Sequence, residues 1–461
     1  MLKRITLIGI LLLSFGVLTQ AQDEMAMATF TVTVENVSGQ GLYDNAGVQP
    51  IPVDGTEAGP AIPGSAYSFE INAEAGDHLS FVTMLAQSND LFFAPDEAGI
   101  ALFDDSGAAI SADITDQIHL WDAGTEMNQP IGEGDEQAPR QAGPNTGTDE
   151  MGVVTLLSNM DGDMAYPATA DIINVSIEAG DNGAFTVTIN NISGDSAFAS
   201  PITPVVYVVH HDDMMMMDDD EMMDDMMAVH GVFFTSGEAD YGRGLEAVAE
   251  DGNPAILASV YVGGGLETPI TPVVWAVHDN MMETGIFFTA GEADRGDGLE
   301  AVAEDGNPAA LGEFVGMYPA SGVSPIPSGA EEAGPALPGS YYTFTFEAAP
   351  GENLSFVTMF VQSNDLFFAP GEAGIPLFDD MGAPMSGDVT RYVDLWDAGT
   401  EVNEAPGEGA NQPPRQAGAN TGDDEMGTVI AVGDNMDGFE YPVVPAVIRV
   451  TIHVDDMAMD D

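Results

Sequence analysis

Apolar and polar residues alternate through Phe30 to Val34, Ala184 to Ile189 and Tyr342 to Phe346, and Val447 to Val454 is rich in β-branched side chains. A period of two puts successive side chains on opposite faces, so these segments predict half-buried strands. Pro and Gly clusters break the chain every 8 to 15 residues. That spacing suits an antiparallel sandwich and leaves no room for long helices. The clearest helix is short, Leu299 to Glu304, with Asp297 three residues before Glu300 as a capping box and Gly306-Asn307-Pro308 as the stop. The expected fold is all-β, with short helices outside the sheets.

Two internal repeats organise the pattern. LSFVTMLAQSNDLFFAPDEAGI from Leu79 returns as LSFVTMFVQSNDLFFAPGEAGI from Leu354, an offset of 275 that holds from Gly47 to Pro167. A smaller repeat lies between these copies: PITPVVYVVH from Pro201 returns as PITPVVWAVH from Pro269, and GVFFTSGEAD from Gly231 as GIFFTAGEAD from Gly285. The first small copy (201–257) carries an acidic Met-Asp insertion at 211–228 that the second (269–311) lacks. FTVTVENVSG from Phe30 also resembles FTVTINNISG from Phe185. The repeats predict two related units, 22–180 and 181–461, with the small repeat missing from the first and doubled in the second.

Residues 1–21 read as a secretory signal peptide: Lys3 and Arg4, an apolar run from Ile5 to Leu18, then Thr19-Gln20-Ala21. The apolar run is shorter than the roughly 20 residues of a spanning helix. The expected product is secreted or periplasmic, with no membrane insertion. The full chain has 76 acidic residues against 8 Lys plus Arg, and removing Lys3 and Arg4 leaves 76 acids against 6 arginines, a net of -70. Such a polyanion repels phosphate backbones and excludes nucleic acid as a partner. With no cysteine, disulfides, thiolate metal sites and a Cys nucleophile are excluded.

The strongest candidate chemistry is Leu-Trp-Asp-Ala-Gly-Thr-Glu, at Leu120 to Glu126 and again at Leu395 to Glu401. A turn at Ala-Gly would bring Asp122 towards Glu126, and Asp397 towards Glu401. Carboxylates and free carbonyls are the hard oxygen donors that Ca²⁺ takes. Asn89-Asp90 with Asn364-Asp365, and Asp149-Glu150 with Asp424-Glu425, are further repeated oxygen donors. Arg140 and Arg415, both in Pro-Arg-Gln-Ala-Gly, read as pins that hold a loop by pairing with nearby acids, and Trp121 and Trp396 as core.

LSFVTMLAQSNDLFFAP, LFDDSG, LWDAGTE and APRQAGPNTGTDE together resemble the bacterial form of the spondin N-terminal domain, and TPVVWAVH with GEADRGDGLEAVAEDGNPAAL is similar to the front part of that domain. The resemblance implies a C2-like antiparallel β-sandwich, two modules in tandem, that binds a divalent cation, Ca²⁺, through loop carboxylates. It places metal ligands at Asp90, Asp122 and Glu126 and at Asp365, Asp397 and Glu401. It also implies adhesion or binding of an extracellular protein or glycan ligand, whose identity the sequence does not name. The chain carries Glu126 and Glu401 where the animal motif has Asp, and it lacks the family's cysteines.

Two other function classes stay open on sequence. A secreted hydrolase using paired carboxylates needs no local motif, because its two acids can be far apart in the chain. A periplasmic metal-sequestering protein could use the thioether, imidazole and carboxylate groups from His210 to Met227. No G-x-S-x-G, H-E-x-x-H or G-x-x-x-x-G-K motif is present, and His78 and His119 are replaced by Asn353 and Asp394 in the second large copy.

Overall fold

A computed structural model describes residues 27–157, 164–211, 231–279, 284–379, 381–434 and 437–455. The expected signal peptide and nearly all of the Met-Asp insertion, from 212 onward, lie outside the described residues.

The chain opens on β1 (Ala28–Asn36), followed by β2 (Ala46–Gln49), β3 (Ala66–Asn72), β4 (Asp77–Met84), β5 (Leu91–Ala94), β6 (Ile100–Ala101), β7 (Ala112–Asp113), β8 (His119–Asp122) and β9 (Thr155–Leu156). A one-turn helix, α1 (Thr169–Ile172), leads into β10 (Ile173–Ala179), β11 (Ala184–Asn191) and β12 (Val205–His211), and then α2 (Leu245–Asp251) and α3 (Ala255–Tyr261). The same kinds of element return as β13 (Val273–Asp279), α4 (Leu299–Asp305), α5 (Ala309–Val315), β14 (Ser321–Ser324), β15 (Tyr341–Ala348) and β16 (Glu352–Met359). The last are β17 (Leu366–Pro370), β18 (Ile375–Pro376), β19 (Gly387–Asp388), β20 (Val393–Asp397), β21 (Ile430–Ala431) and β22 (Ile448–Asp455).

The fold is all-β, as the alternation predicts, and its strands form four antiparallel sheets. Module A pairs β3-β11-β10-β7 in one sheet and β2-β12-β4-β5-β8-β9 in the other, with β6 beside β4. Module B pairs β15-β1-β22-β19 and β14-β13-β16-β17-β20-β21, with β18 beside β16. Phe69, Ile71, Phe185 and Val187 from the smaller sheet meet Leu79, Phe81 and Phe93 from the larger one to form the core of module A. Phe30, Val32, Phe344 and Val450 meet Leu354, Phe356 and Phe368 in module B.

Strand pairing divides the chain differently from the predicted units 22–180 and 181–461. β10 and β11 are two arms of one hairpin, in register from Ile173↔Asn191 to Ala179↔Phe185. Asn182 and Gly183, with φ of 57° and 78°, supply the left-handed turn between them. The boundary at 180/181 therefore falls inside a hairpin of module A. β1 instead joins module B, between β15 and β22, so the first and last strands of the described chain lie side by side. β12 of the first small repeat extends the sheet of module A, and β13 of the second extends that of module B. Each module thus holds one small repeat, which corrects the reading of none and two.

Helices of the small repeats form a third layer. Leu245, Val248, Leu257 and Val260 pack on Val82, Phe92, Trp121 and Val206, on the face of the larger sheet away from the sandwich core. Leu299, Val302, Leu311 and Val315 do the same in module B over Val274, Phe367 and Trp396. The predicted capping box at Asp297 is not formed: α4 starts at Gly298 with φ 110° and has no side-chain cap. Gly306, at φ 65°, does stop α4, but Pro308 then caps α5, a helix that the sequence reading lacks.

Candidate metal centres

Asp90 and Asp122 come from different hairpins of module A, yet the sheet register brings them together. Asp90 immediately precedes β5, Asp122 ends β8, and Leu91 lies opposite Asp122. The carboxylate of Asp90 is then tied to the turn after β8. Its Oδ2 accepts from the backbone N–H of Thr125 (2.9 Å) and of Glu126 (3.1 Å). Asp122 Oδ1 accepts from the Gly124 N–H at 2.7 Å, and its Oδ2 accepts from the Asn128 amide. Gly124, at φ 70°, lets the chain turn here, where a Cβ would lie 2.6 Å from the backbone of Val153.

The third carboxylate is Glu150. Its backbone N–H donates to the Thr125 carbonyl at 2.9 Å, which carries the neighbouring loop across the turn. One oxygen from each of Asp90, Asp122 and Glu150 lies within 4.8 Å of the others. Asp365, Asp397 and Glu425 form the same group in module B. There Asp365 Oδ2 accepts from Thr400 and Glu401 N–H, both at 3.0 Å, and Asp397 Oδ1 accepts from Gly399 N–H at 2.7 Å.

Of the six expected ligands, the structure brings Asp90 to Asp122 and Asp365 to Asp397, and it directs Glu126 and Glu401 elsewhere. Glu126 Oε1 accepts from Gly147 N–H at 2.8 Å, and Glu401 Oε1 accepts from Gly422 N–H at 2.8 Å. Glu126 bridges Asp149 across a short antiparallel contact, as Glu401 bridges Asp424. The next residues along, Glu150 and Glu425, complete the triads in place of Glu126 and Glu401. Both are repeated donors in sequence, but nothing local to W-D-A-G-T-E points to them. The pairing of residues 125–126 with 149–150 is a loop contact, with no strand periodicity to announce it.

The electrostatics of the triads are dominated by burial and by neighbouring negative charge. Asp90 is fully buried, Asp122 nearly so, and Glu150 is exposed. Burial, and then the Asp122 charge, push the Asp90 carboxyl up to about 8, against the pull of its backbone donors. Burial likewise lifts Asp122 to about 6. Asp365 and Asp397 are raised in the same way, burial again being the main cause. Asp90 Oδ1 and Asp365 Oδ1 are buried and receive no N–H donor. The two loop arginines do not supply a counter-charge. Arg140 binds Gly134 O at 2.6 Å and the Gln87 side chain at 2.7 Å, and Arg415 binds Gly409 O at 2.7 Å and Gln362 at 3.0 Å. These arginines pin loops as expected, but through carbonyl and amide oxygens rather than acids.

Three oxygens at this separation, with buried carboxylates held by backbone N–H groups, form a donor set that could hold a hard metal ion. Trp121 and Trp396 are core residues beside it, their indole N–H groups donating to Ala94 O at 3.2 Å and Ala369 O at 3.0 Å. No family model matches the chain, and comparison with curated proteins and with solved structures gives no match.

Proposed function

We propose that each module binds one Ca²⁺ at its triad, Asp90-Asp122-Glu150 or Asp365-Asp397-Glu425, and that the protein is a secreted, non-catalytic binding or adhesion module of the spondin type. One observation carries the reading: a buried aspartate, one of whose oxygens has no hydrogen-bond donor, lies in a group of three carboxylates, and does so twice in one chain. At about 4 Å, two like charges near a protein surface repel by roughly 4 kcal/mol. A divalent ion replaces that repulsion with attraction and suits oxygen-only ligands. The antiparallel sandwich and the positions of Asp90, Asp122, Asp365 and Asp397 agree with the spondin resemblance. Export is supported by the leader-like residues 1–21. The loops that would hold the ions also form the surface beside them, where an extracellular protein or glycan could dock.

Calorimetric titration of Ca²⁺ into chelator-treated protein tests the metal. Heat of binding and a rise in the thermal midpoint are expected, because the unfolded chain lacks the assembled site. A midpoint indifferent to chelator sinks the reading.

A further inference from the structure

We propose a second cation position in each module, where a helix-borne glutamate faces a loop glutamate: Glu250 with Glu126 in module A, and Glu304 with Glu401 in module B. These residues are separate from the triads, and nothing in the spondin resemblance assigns Glu250 or Glu304.

The strongest observation is Glu250 itself. It lies on α2, is 1% exposed, and neither of its carboxylate oxygens has a hydrogen-bond partner. Thr125 lies beside it, and the neighbouring charges that act on it, those of Glu246, Glu126 and Asp90, are all negative. Burial, the largest cause, pushes its carboxyl up to about 8. Glu304 on α4 is 3% exposed and is acted on by the matching Thr400, Glu401 and Glu300, with Asp305 in addition. In module B the orphaned atom is Glu401 Oε2, on a side chain that is 3% exposed.

An ionised carboxylate with no partner in the interior is costly enough that it must be neutralised by a proton or a cation. The arginines of the small repeats cannot serve, since Arg243 pairs with Asp388 at 3.2 Å and Arg295 donates to Gly285 O at 2.8 Å. The sequence differs between the small repeats at Tyr241 against Arg295 and Arg243 against Asp297, whereas Leu-Glu-Ala-Val-Ala-Glu-Asp is identical. Two carboxylates and a threonine hydroxyl suit a hard divalent ion that keeps some of its water, Ca²⁺ or Mg²⁺. Such an ion would tie the helix layer to the loop that carries the triad, joining the small repeat to the large one.

The test is Ca²⁺ titration of the full chain after chelator treatment, with elemental analysis of the desalted protein. The wild type should hold about four ions, falling to about two in the Glu250→Gln/Glu304→Gln variant. The Asp122→Asn/Asp397→Asn variant should lose the triad ions and keep the helix-linked pair. Glutamine keeps the shape and removes the buried charge, so in chelator the glutamate variant should be at least as stable as the wild type, while Ca²⁺ raises its thermal midpoint less. Two ions in the wild type, unchanged by Glu250→Gln/Glu304→Gln, would show these glutamates to be buried neutral acids and overturn the second position alone. Ions lost only from the glutamate variant, with the triad variant unaffected, would overturn the triad reading and leave this one standing.

Discussion

Phe30 stacks on Phe346, with ring centroids 5.8 Å apart and planes 27° from parallel, although all of module A separates them in the chain. The contact sits on paired strands, with Phe30 opposite Phe346 on β15 and opposite Val454 on β22. Both the N-terminal strand and the C-terminal strand are therefore structural parts of module B. Asn36, at the end of β1, reinforces this by donating to Thr268 O at 2.7 Å and Ala336 O at 2.8 Å.

Phe30→Ala should accordingly weaken the far module. Removing a buried phenylalanine costs about 3–5 kcal/mol. Hydrogen exchange should show lost protection in β15 and β22, while β3 and β10 keep theirs. Equal loss in both small sheets would mean that β1 does not sit in module B in solution.

The strands themselves were legible, because Phe30 to Val34 and Ala184 to Ile189 carry a clean period of two. Their partners were not. Two strands with the same Phe-Thr-Val-Thr face present the same pattern to any complementary edge, so alternation fixes which side is buried without fixing the neighbour. One local signal did specify a partner, the Asn182-Gly183 pair between β10 and β11, a hairpin signature that overrides the repeat boundary at 180/181. At the site, Asp90 and Asp122 were legible as acids that recur in both large copies. Glu150 is set by a loop-to-loop hydrogen bond between Thr125 and Glu150, and such contacts leave no periodic trace in sequence.

Glu150 and Glu126 are separable by mutation. With the triad ion of module B removed by Asp397→Asn, Glu150→Gln should weaken the triad ion of module A by roughly tenfold, about 1.4 kcal/mol. Glu126→Gln should leave that phase of the titration nearly unchanged, since its Oε1 is held by Gly147 N–H at 2.8 Å. The reverse ranking would restore Glu126 as the ligand.

Metal-free protein should become less stable as pH rises from about 4 to about 8. Asp90 and Asp122, both 3.8 in ordinary surroundings, are lifted to about 8 and about 6 in the fold. Through that window the folded state holds protons that the unfolded chain has released, so raising the pH favours unfolding. Glu126 and Glu250, also raised by burial, act in the same direction. Saturating Ca²⁺ should flatten the slope, and its binding at neutral pH should release protons, measurable as a buffer-dependent heat. A stability that climbs with pH in chelator would contradict the buried, unpaired state of these acids.

Gly124→Ala should impair cation binding without touching a ligand. Gly124 sits at φ 70°, a region that costs a side chain about 1–3 kcal/mol. The new Cβ would also meet Val153 N and O, each at 2.6 Å, and these are backbone atoms that cannot rotate away. The turn must therefore open, which breaks the Gly124 N–H bond to Asp122 Oδ1 and shifts the Thr125 and Glu126 N–H groups that hold Asp90. Ca²⁺ affinity in module A should fall together with its thermal stability, while module B, built on Gly399 at φ 66°, titrates normally. Gly107→Ala provides the control: its φ of 77° is equally left-handed, but a Cβ there meets nothing within 4 Å. It should cost backbone strain alone and leave the affinity unchanged. Equal loss of affinity in both variants would show that the effect is general destabilisation rather than the geometry of the Asp122 turn.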